Sequence, residues 1–349
     1  MAFPKLICLS GSGKELGFQY GSQCAEEVRK NIGFYKKMFS DFGVDWGQAK
    51  NIASNFIPPV KDYFSQSLDE MRGIAEGAGC SFEDILVLNC RSEILFARPD
   101  GCSSIGVLPE LSGNGHTLLA QTWDWLRPAY DTTVVLKTEE TGCPKTLYCA
   151  EAGIIGGKGL NSSGIGVCLN ALSIGKGKIG VPLHLIYRKI LQQNSISNAL
   201  DVIAQADRAG CGNFALGSKE GFLMCVEFTP DNFDVIMPMN EVMCHTNHYQ
   251  SSWLAPLDTF KGQLTDTFVR LNRMRRFFLD KKKVTETEIW AILSDHANFP
   301  DSVCSHEDPV DPEGKRLCTV YAILMDLDDK KLWFSEGNPC SGHIKEYSL

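Results

Sequence analysis

The sequence changes character once, at "RPDGCSS", residues Arg98 to Ser104. Before that point the pattern is helical. "GKELGFQYGSQCAEEVRKNIGFYKKMF" sets Leu16, Tyr20, Val28, Ile32 and Tyr35 at helical spacing. "VKDYFSQSLDEMRGIAEGAG" does likewise and closes on Gly77 and Gly79, read as C-terminal breakers. "SFEDILVLNCRSEILFA" opens on Ser81 as an N-cap, with Glu83 and Asp84 in the first turn, where carboxylates suit the helix dipole. After Cys102 the segments are short, rich in β-branched residues and divided by Gly, Pro and Asn turns. They are "CSSIGVL", "HTLLAQTWDW", "DTTVVLKTE", "KTLYCAEAG" and "GIGVCLNAL". Two helical stretches follow, "PLHLIYRKILQQ" and "SISNALDVIAQAD". Strands resume in the hairpin "NFALGSKEGFLMCVEFT" and in "NFDVIMP". A helical pair over 264–293 precedes a last hairpin, "TVYAILMDLDDKKLWFSEG", turning at Asp-Asp-Lys-Lys.

Strands in runs and helices in runs, without βαβ alternation, predict the α+β class: antiparallel sheet with helices packed outside. No linker, low-complexity tract or internal repeat divides the chain. It reads as one structural domain, with a mostly helical part over 1–101 and a strand-rich part over 102–349.

Composition narrows the function. A chain of 349 residues buries a substantial core without staples. A net charge of −8 gives no electrostatic reason to hold nucleic acid or an anionic membrane, and mildly favours a cationic substrate. The opening "MAFPKLICLSGSGKELGF" lacks a signal-peptide pattern, and no apolar run reaches the roughly 18 residues of a spanning helix. These features predict a cytoplasmic protein whose fourteen cysteines are mostly reduced thiols. The sequence has no CxxC, which argues against a structural zinc, and no metal is expected.

Three motifs carry little. "LSGSGKEL" fails as a P-loop, because position 8 is Cys8 rather than Gly and position 15 is Glu15 rather than Ser or Thr; no strong strand is expected before it. Asn161-Ser162-Ser163 fits a glycosylation pattern but reads as an Asn turn. Cys244, His245 and His248 in "CHTNHY" would suit a metal on a helix, but their flanks are strand-like, and a polar loop entering an active site is the alternative.

Cys102 is either a small packed thiol or a nucleophile. Gly101 before it leaves the peptide bond open to approach, Pro99-Asp100 bends the chain, and the change of texture falls on this bond. Those features suit an N-terminal nucleophile. Cleavage before Cys102 would free its α-amine, which titrates near about 8 and can take the thiol proton.

"DGCSS", "TWDW", "EAGIIGGKGLNSSGIGVCLNAL" and "HTNH", with "GIAEGAG" and "LNCRSEI" upstream, stand in an order and spacing similar to the isopenicillin N acyltransferase-like proteins. Those are self-processing cysteine N-terminal nucleophile (Ntn) hydrolases. The resemblance covers most of the chain. It implies a four-layer αββα sandwich of two antiparallel sheets between helical layers. It implies self-cleavage between Gly101 and Cys102 into two chains that stay associated, with Cys102 as nucleophile. It further implies Asp124 against the new amine, Asn247 in the oxyanion hole, and Asn170 as a second polar group near the nucleophile. Arg316 falls where the family's arginine lies near the substrate, although beside Lys315 it also reads as a surface charge. Where more distant relatives, the bile-salt hydrolases and acid ceramidase, carry an arginine before the aspartate, this chain has Gln121. The implied substrate is a small N-acyl amide cleaved through a thioester. Trp123, Trp125 and Tyr130 are candidates to line its pocket. No cofactor is expected; acyl-CoA enters as a co-substrate if the outcome is transfer. Hydrolysis of β-alanyl conjugates of biogenic amines and penicillin-type acyl exchange both stay open. So does a reading of another class, an uncut, redox-responsive protein that is not an enzyme.

Overall fold

The computed structural model describes residues 3–95 and 101–349. Residues Arg98 to Asp100 of the junction lie outside that description. The chain opens with a strand, β1 (Leu6–Gly11), then helices α1 (Gly13–Gln23), α2 (Ala25–Asp41), α3 (Trp46–Ser54), α4 (Ile57–Ala78), α5 (Phe82–Asn89) and α6 (Arg91–Ile94). Six strands follow: β2 (Gly101–Val107), β3 (Leu118–Leu126), β4 (Thr133–Glu140), β5 (Thr146–Glu151), β6 (Lys158–Asn161) and β7 (Ile165–Ala171). Helices α7 (Leu183–Leu191) and α8 (Ile196–Gln205) lead to β8 (Gly212–Ser218), β9 (Phe222–Phe228), β10 (Phe233–Ile236) and β11 (Val242–His245). The chain ends with α9 (Asp266–Phe278), α10 (Glu286–Leu293), β12 (Leu317–Asp326), β13 (Lys331–Ser335) and β14 (Ile344–Ser348).

The strands form two sheets. One has eight strands in the order β1-β4-β5-β6-β7-β8-β9-β10; the other has six, β11-β2-β3-β12-β13-β14. They face each other through β2, β3 and β7. Helices α1, α7 and α8 cover the larger sheet, while α9 and α10 cover the smaller. The class is α+β and the layer order is αββα.

Two details of the sheets depart from the sequence reading. β1 was not expected, so a strand does precede "GSGKEL". Its alternating exposed and buried residues pack Ile7 and Leu9 inward, but six residues ahead of a long helical run gave too short a pattern. β1 also pairs with β4 in parallel, so the larger sheet is not wholly antiparallel. The strand comes from the helical segment and reaches the sheet edge by crossover, which sets its direction.

Gly77 is not a breaker. It lies inside α4, where a Cβ would sit 2.3 Å from the Phe18 carbonyl oxygen. Gly17 and Gly73 are equally tight, with a Cβ 2.0 Å from Glu70 O and 2.3 Å from Lys14 O. α1 and α4 therefore cross backbone to backbone. Gly79 does end the helix, at a left-handed φ of 66°. Ser81 caps α5 as expected, accepting from the Asp84 amide at 3.2 Å. Arg188, fully buried on α7, bonds Glu70 of α4 at 3.2 Å and Glu140 of β4 at 2.7 Å, tying both helices to the sheet.

Candidate active site

β2 starts at the junction. Its register sets Gly101 opposite Asp124 and Cys102 opposite Trp123 on β3. A Cβ on Gly101 would lie 2.8 Å from Asp124 Oδ2 and 2.9 Å from its Cβ, so the carboxylate side chain rests on the glycine. Asp124 Oδ1 accepts from Thr319 Oγ1 of β12 at 2.6 Å. That hydroxyl in turn accepts from the Ser305 amide at 2.9 Å.

Cys102 is 2% exposed and forms part of a cleft wall. Its backbone is held at both ends. The N–H donates to Asn247 Oδ1 at 2.9 Å. The carbonyl accepts from Arg270 Nη1 at 2.9 Å and Asn170 Nδ2 at 3.2 Å. Arg270, 2% exposed on α9, also donates to Ser103 Oγ at 3.0 Å and to Asn247 Oδ1 at 3.0 Å, and its Nε bonds Asp266 at 2.7 Å. Two donors meet on Asn247 Oδ1, and this fixes the amide orientation. Its Nδ2 donates to Ala171 O at 3.1 Å. The side-chain amide nitrogen that meets the Cys102 carbonyl is thus that of Asn170. Asn170 is oriented by Ser104 Oγ at 2.8 Å and Asn213 Nδ2 at 3.1 Å.

The cleft encloses about 1030 Å³, its open mouth included. Trp123, Trp125, Tyr187 and Tyr321 give it an aromatic wall beside Cys102, and Arg91, Glu93, Glu151, Lys158 and His184 add charge and polarity. Lys158 Nζ stands 4.6 Å from the centre of the Trp123 ring. Glu151 accepts from Arg91 Nη2 at 2.6 Å and Tyr35 Oη at 2.6 Å. Glu93 Oε1 accepts from the Leu183 amide at 2.8 Å, at the start of α7. Burial pushes the Glu93 carboxyl up to about 7. Burial, aided by the Arg91 and Lys158 charges, holds the His184 imidazole well below its ordinary value, so it is neutral at pH 7. A Cβ on Gly156 would be 1.9 Å from His184 O; the bare glycine lets α7 close on the cleft floor.

Of the residues singled out from the sequence, Gly101, Cys102, Asp124, Asn170 and Asn247 meet here. Arg316 stands apart. Its guanidinium bonds the Asp311 and Pro309 carbonyls at 2.9 and 3.0 Å, within its own loop, and it is not among the cleft-lining residues. Trp123 and Trp125 line the cleft, and Tyr130 does not. His245 is taken up by Thr246 O and Glu227 Oε1, both at 2.7 Å, and His248 by Thr267 Oγ1 at 2.8 Å, which leaves no ligand pair in "HTNH". Gln121 joins the sheets, donating to Ser104 Oγ at 2.9 Å and to Leu169 O. Asn161 is fully buried, and its side chain bonds its own turn and the end of α7. Sequence reasoning missed Arg270, Arg91, Glu93, Glu151 and Lys158.

The αββα sandwich of two sheets between helical layers is the fold of the Ntn hydrolases. The chain belongs to the family described as acyl-coenzyme A:6-aminopenicillanic acid acyl-transferase, which matches residues 111–341. The 40 kDa form of acyl-coenzyme A:6-aminopenicillanic-acid-acyltransferase from Emericella nidulans is 27% identical over 342 residues, covering 95% of this chain and 92% of that protein. Protein dcd1A of Dictyostelium discoideum is 28% identical over 180 residues, 46% of this chain and 40% of that protein. Among solved structures, a C2A mutant of the conjugated bile acid hydrolase of Clostridium perfringens aligns with a TM-score of 0.48 at 13% identity, over 70% of this chain and 97% of that one. No helix among the described residues is long and apolar enough to cross a membrane.

Proposed function

We propose that this protein is a self-processing cysteine amidohydrolase or acyltransferase, cut between Gly101 and Cys102 and acting on a small N-acyl amide through a Cys102 thioester. The observation that carries the reading is the grip on Cys102. Its nitrogen faces Asn247, Asp124 lies on Gly101, and its residue opens into an aromatic-walled cleft.

In maturation the Cys102 thiol attacks the Gly101 carbonyl, and the acyl group moves from nitrogen to sulfur. Water then releases the Gly101 carboxylate, the thiol and the α-amine. In turnover the amine takes the thiol proton, and the thiolate attacks the substrate carbonyl. Asn247 is assigned to the oxyanion, its Nδ2 giving up Ala171 O to do so, with Asn170, whose Nδ2 meets the Cys102 carbonyl, as a second polar group beside it. Such a donor is worth about 10²–10³ in rate. The Cys102 ammonium protonates the leaving amine, and a thioester remains. Water or a second amine resolves it, and exclusion of water decides between them. No cofactor enters these steps; in the transferase outcome acyl-CoA supplies the acyl group.

A second reading concerns the substrate. The aromatic wall of Trp123, Trp125 and Tyr321 suits an aromatic amine, as in a β-alanyl conjugate of a biogenic amine. The two pieces, 1–101 and 102–349, stay associated, because Arg91 and Glu93 of the first share this cleft with the second. The composition supports a cytoplasmic site of action.

The test is intact-mass spectrometry of the purified protein, before and after incubation with N-acyl amines. Two pieces with an acyl adduct on Cys102 are expected, and a single chain for Cys102→Ala. An uncut wild-type chain without adduct supports the redox-responsive reading and rejects this one.

A further inference from the structure

Among side chains that do not line the cleft, four with soft donor atoms converge. His296 follows α10, Cys304 and His306 lie in the loop before β12, and Cys340 lies in the turn between β13 and β14. Their ligand atoms all fall within 4.8 Å of one another. His306 Nε2 is 3.0 Å from His296 Nε2, 3.6 Å from Cys304 Sγ and 3.7 Å from Cys340 Sγ. A tetrahedral zinc with Zn–S about 2.3 Å and Zn–N about 2.0–2.1 Å has edges of about 3.3 Å between nitrogens and about 3.6 Å between nitrogen and sulfur. The cluster has nearly those dimensions before any metal draws it together. We propose that His296, Cys304, His306 and Cys340 form a structural Cys₂His₂ site for one zinc ion.

The surroundings fit that role. Asn338 Nδ2 points at Cys304 Sγ at 3.6 Å and bonds Ser305 O at 2.7 Å, an outer contact of the kind that orients a ligand. Each thiol gives up its proton on binding, leaving two thiolates and two imidazoles around the ion. Four protein ligands close the coordination shell, so the ion does no chemistry. Its effect is mechanical. It ties the loop of 294–316 to the turn Pro339–Ser341. Ser305, between two ligands, donates to Thr319 Oγ1, and Thr319 donates to Asp124. The ion thus fixes the far end of a short chain of bonds that ends on the residue covering Gly101. The expectation of no metal rested on the missing CxxC, but here the ligands come from three separate segments.

The test is elemental analysis of the full-length protein purified under reducing conditions without chelator or affinity metal. One zinc per chain is expected. His296→Ala and Cys340→Ser, both at exposed ligands, should each lower zinc retention against a chelator about tenfold or more. Cys8→Ser, an exposed thiol elsewhere, should not. Exchange with cobalt needs no variant, and should give the thiolate charge-transfer absorption of a tetrahedral sulfur site. The proposal is overturned by less than a tenth of a zinc per chain. It is equally overturned by stoichiometric copper or iron instead, by unchanged retention in both variants, or by a Cys304–Cys340 disulfide in the freshly isolated protein. Zinc content is read without any activity, on cut and uncut protein alike, so its outcome is independent of the thioester mechanism.

Discussion

Asn247 Oδ1 lies 2.9 Å from the Cys102 nitrogen and takes its hydrogen. The same oxygen receives Arg270 Nη2 at 3.0 Å. Asn247→Leu keeps the approximate volume and strands both donors in a buried setting. We expect a stability loss of about 2–3 kcal/mol and a cleavage rate about 100-fold lower. Denaturant melts and the time course of the two pieces on a denaturing gel check both.

Arg270 reaches four acceptors at once: Cys102 O, Ser103 Oγ, Asn247 Oδ1 and Asp266. Arg270→Met leaves Asp266 and the Cys102 carbonyl without their cation and should cost about 3 kcal/mol. Arg270→Lys should recover little of the processing rate, because a single ammonium cannot span the fork. If lysine restores wild-type processing, the geometry assigned to this arginine is wrong.

Gly101→Ala puts a methyl against Asp124, at 2.8 Å from Oδ2 and 2.9 Å from Cβ. The carboxylate must move. Overpacking of this size costs about 1–3 kcal/mol. We expect the uncut chain to accumulate, with cleavage slowed at least about tenfold, while the unfolding midpoint drops only modestly. Quantified gels and thermal melts separate the two effects.

Glu93 titrates near 7 in the folded protein against an ordinary 4.5, because burial disfavours its charge. The folded state therefore holds the extra proton between those values. The stability this gives is full below about 4.5 and fades as pH rises through about 7. Glu93→Gln keeps an oxygen for the Leu183 amide and removes the titration. Wild type should lose up to about 3 kcal/mol relative to this variant between pH 4.5 and 7. Urea melts at several pH values check it; parallel curves would falsify the assignment.

Much of the fold was legible because segments after Cys102 signal their type locally. β-branched runs between turns became strands, and both hairpins turn where their polar tetrads stand. β1 was lost because six residues give only two inward side chains, Ile7 and Leu9, too few to stand out against the helix behind them. Gly77 misled because a glycine near a helix end looks like a stop; only the partner helix shows that it is a contact. In the site, the residues next to short motifs were found and Arg270 was not. It sits in "RLNRMRRFF", where Arg273 is half-exposed on the same helix. One local clue exists: Arg270 falls in phase with Thr267, Leu271, Met274 and Phe278, the buried stripe of α9. Arg91, Glu93, Glu151 and Lys158 lie inside the segments "LNCRSEI" and "EAGIIGGKGL", but nothing local marks them as site residues, since the fold alone brings them to one cleft.

A newly made chain end normally frays, since its first residues lose the restraint of a preceding peptide. Under the proposed cleavage Cys102 would meet the opposite circumstance. Its nitrogen is anchored on Asn247, its carbonyl on Arg270 and Asn170, and the strand behind it is hydrogen-bonded on both sides by β3 and β11. A cut at this bond therefore creates a terminus that is already ordered. Under the proposed cleavage the thiol would need no further ordering before it reacts.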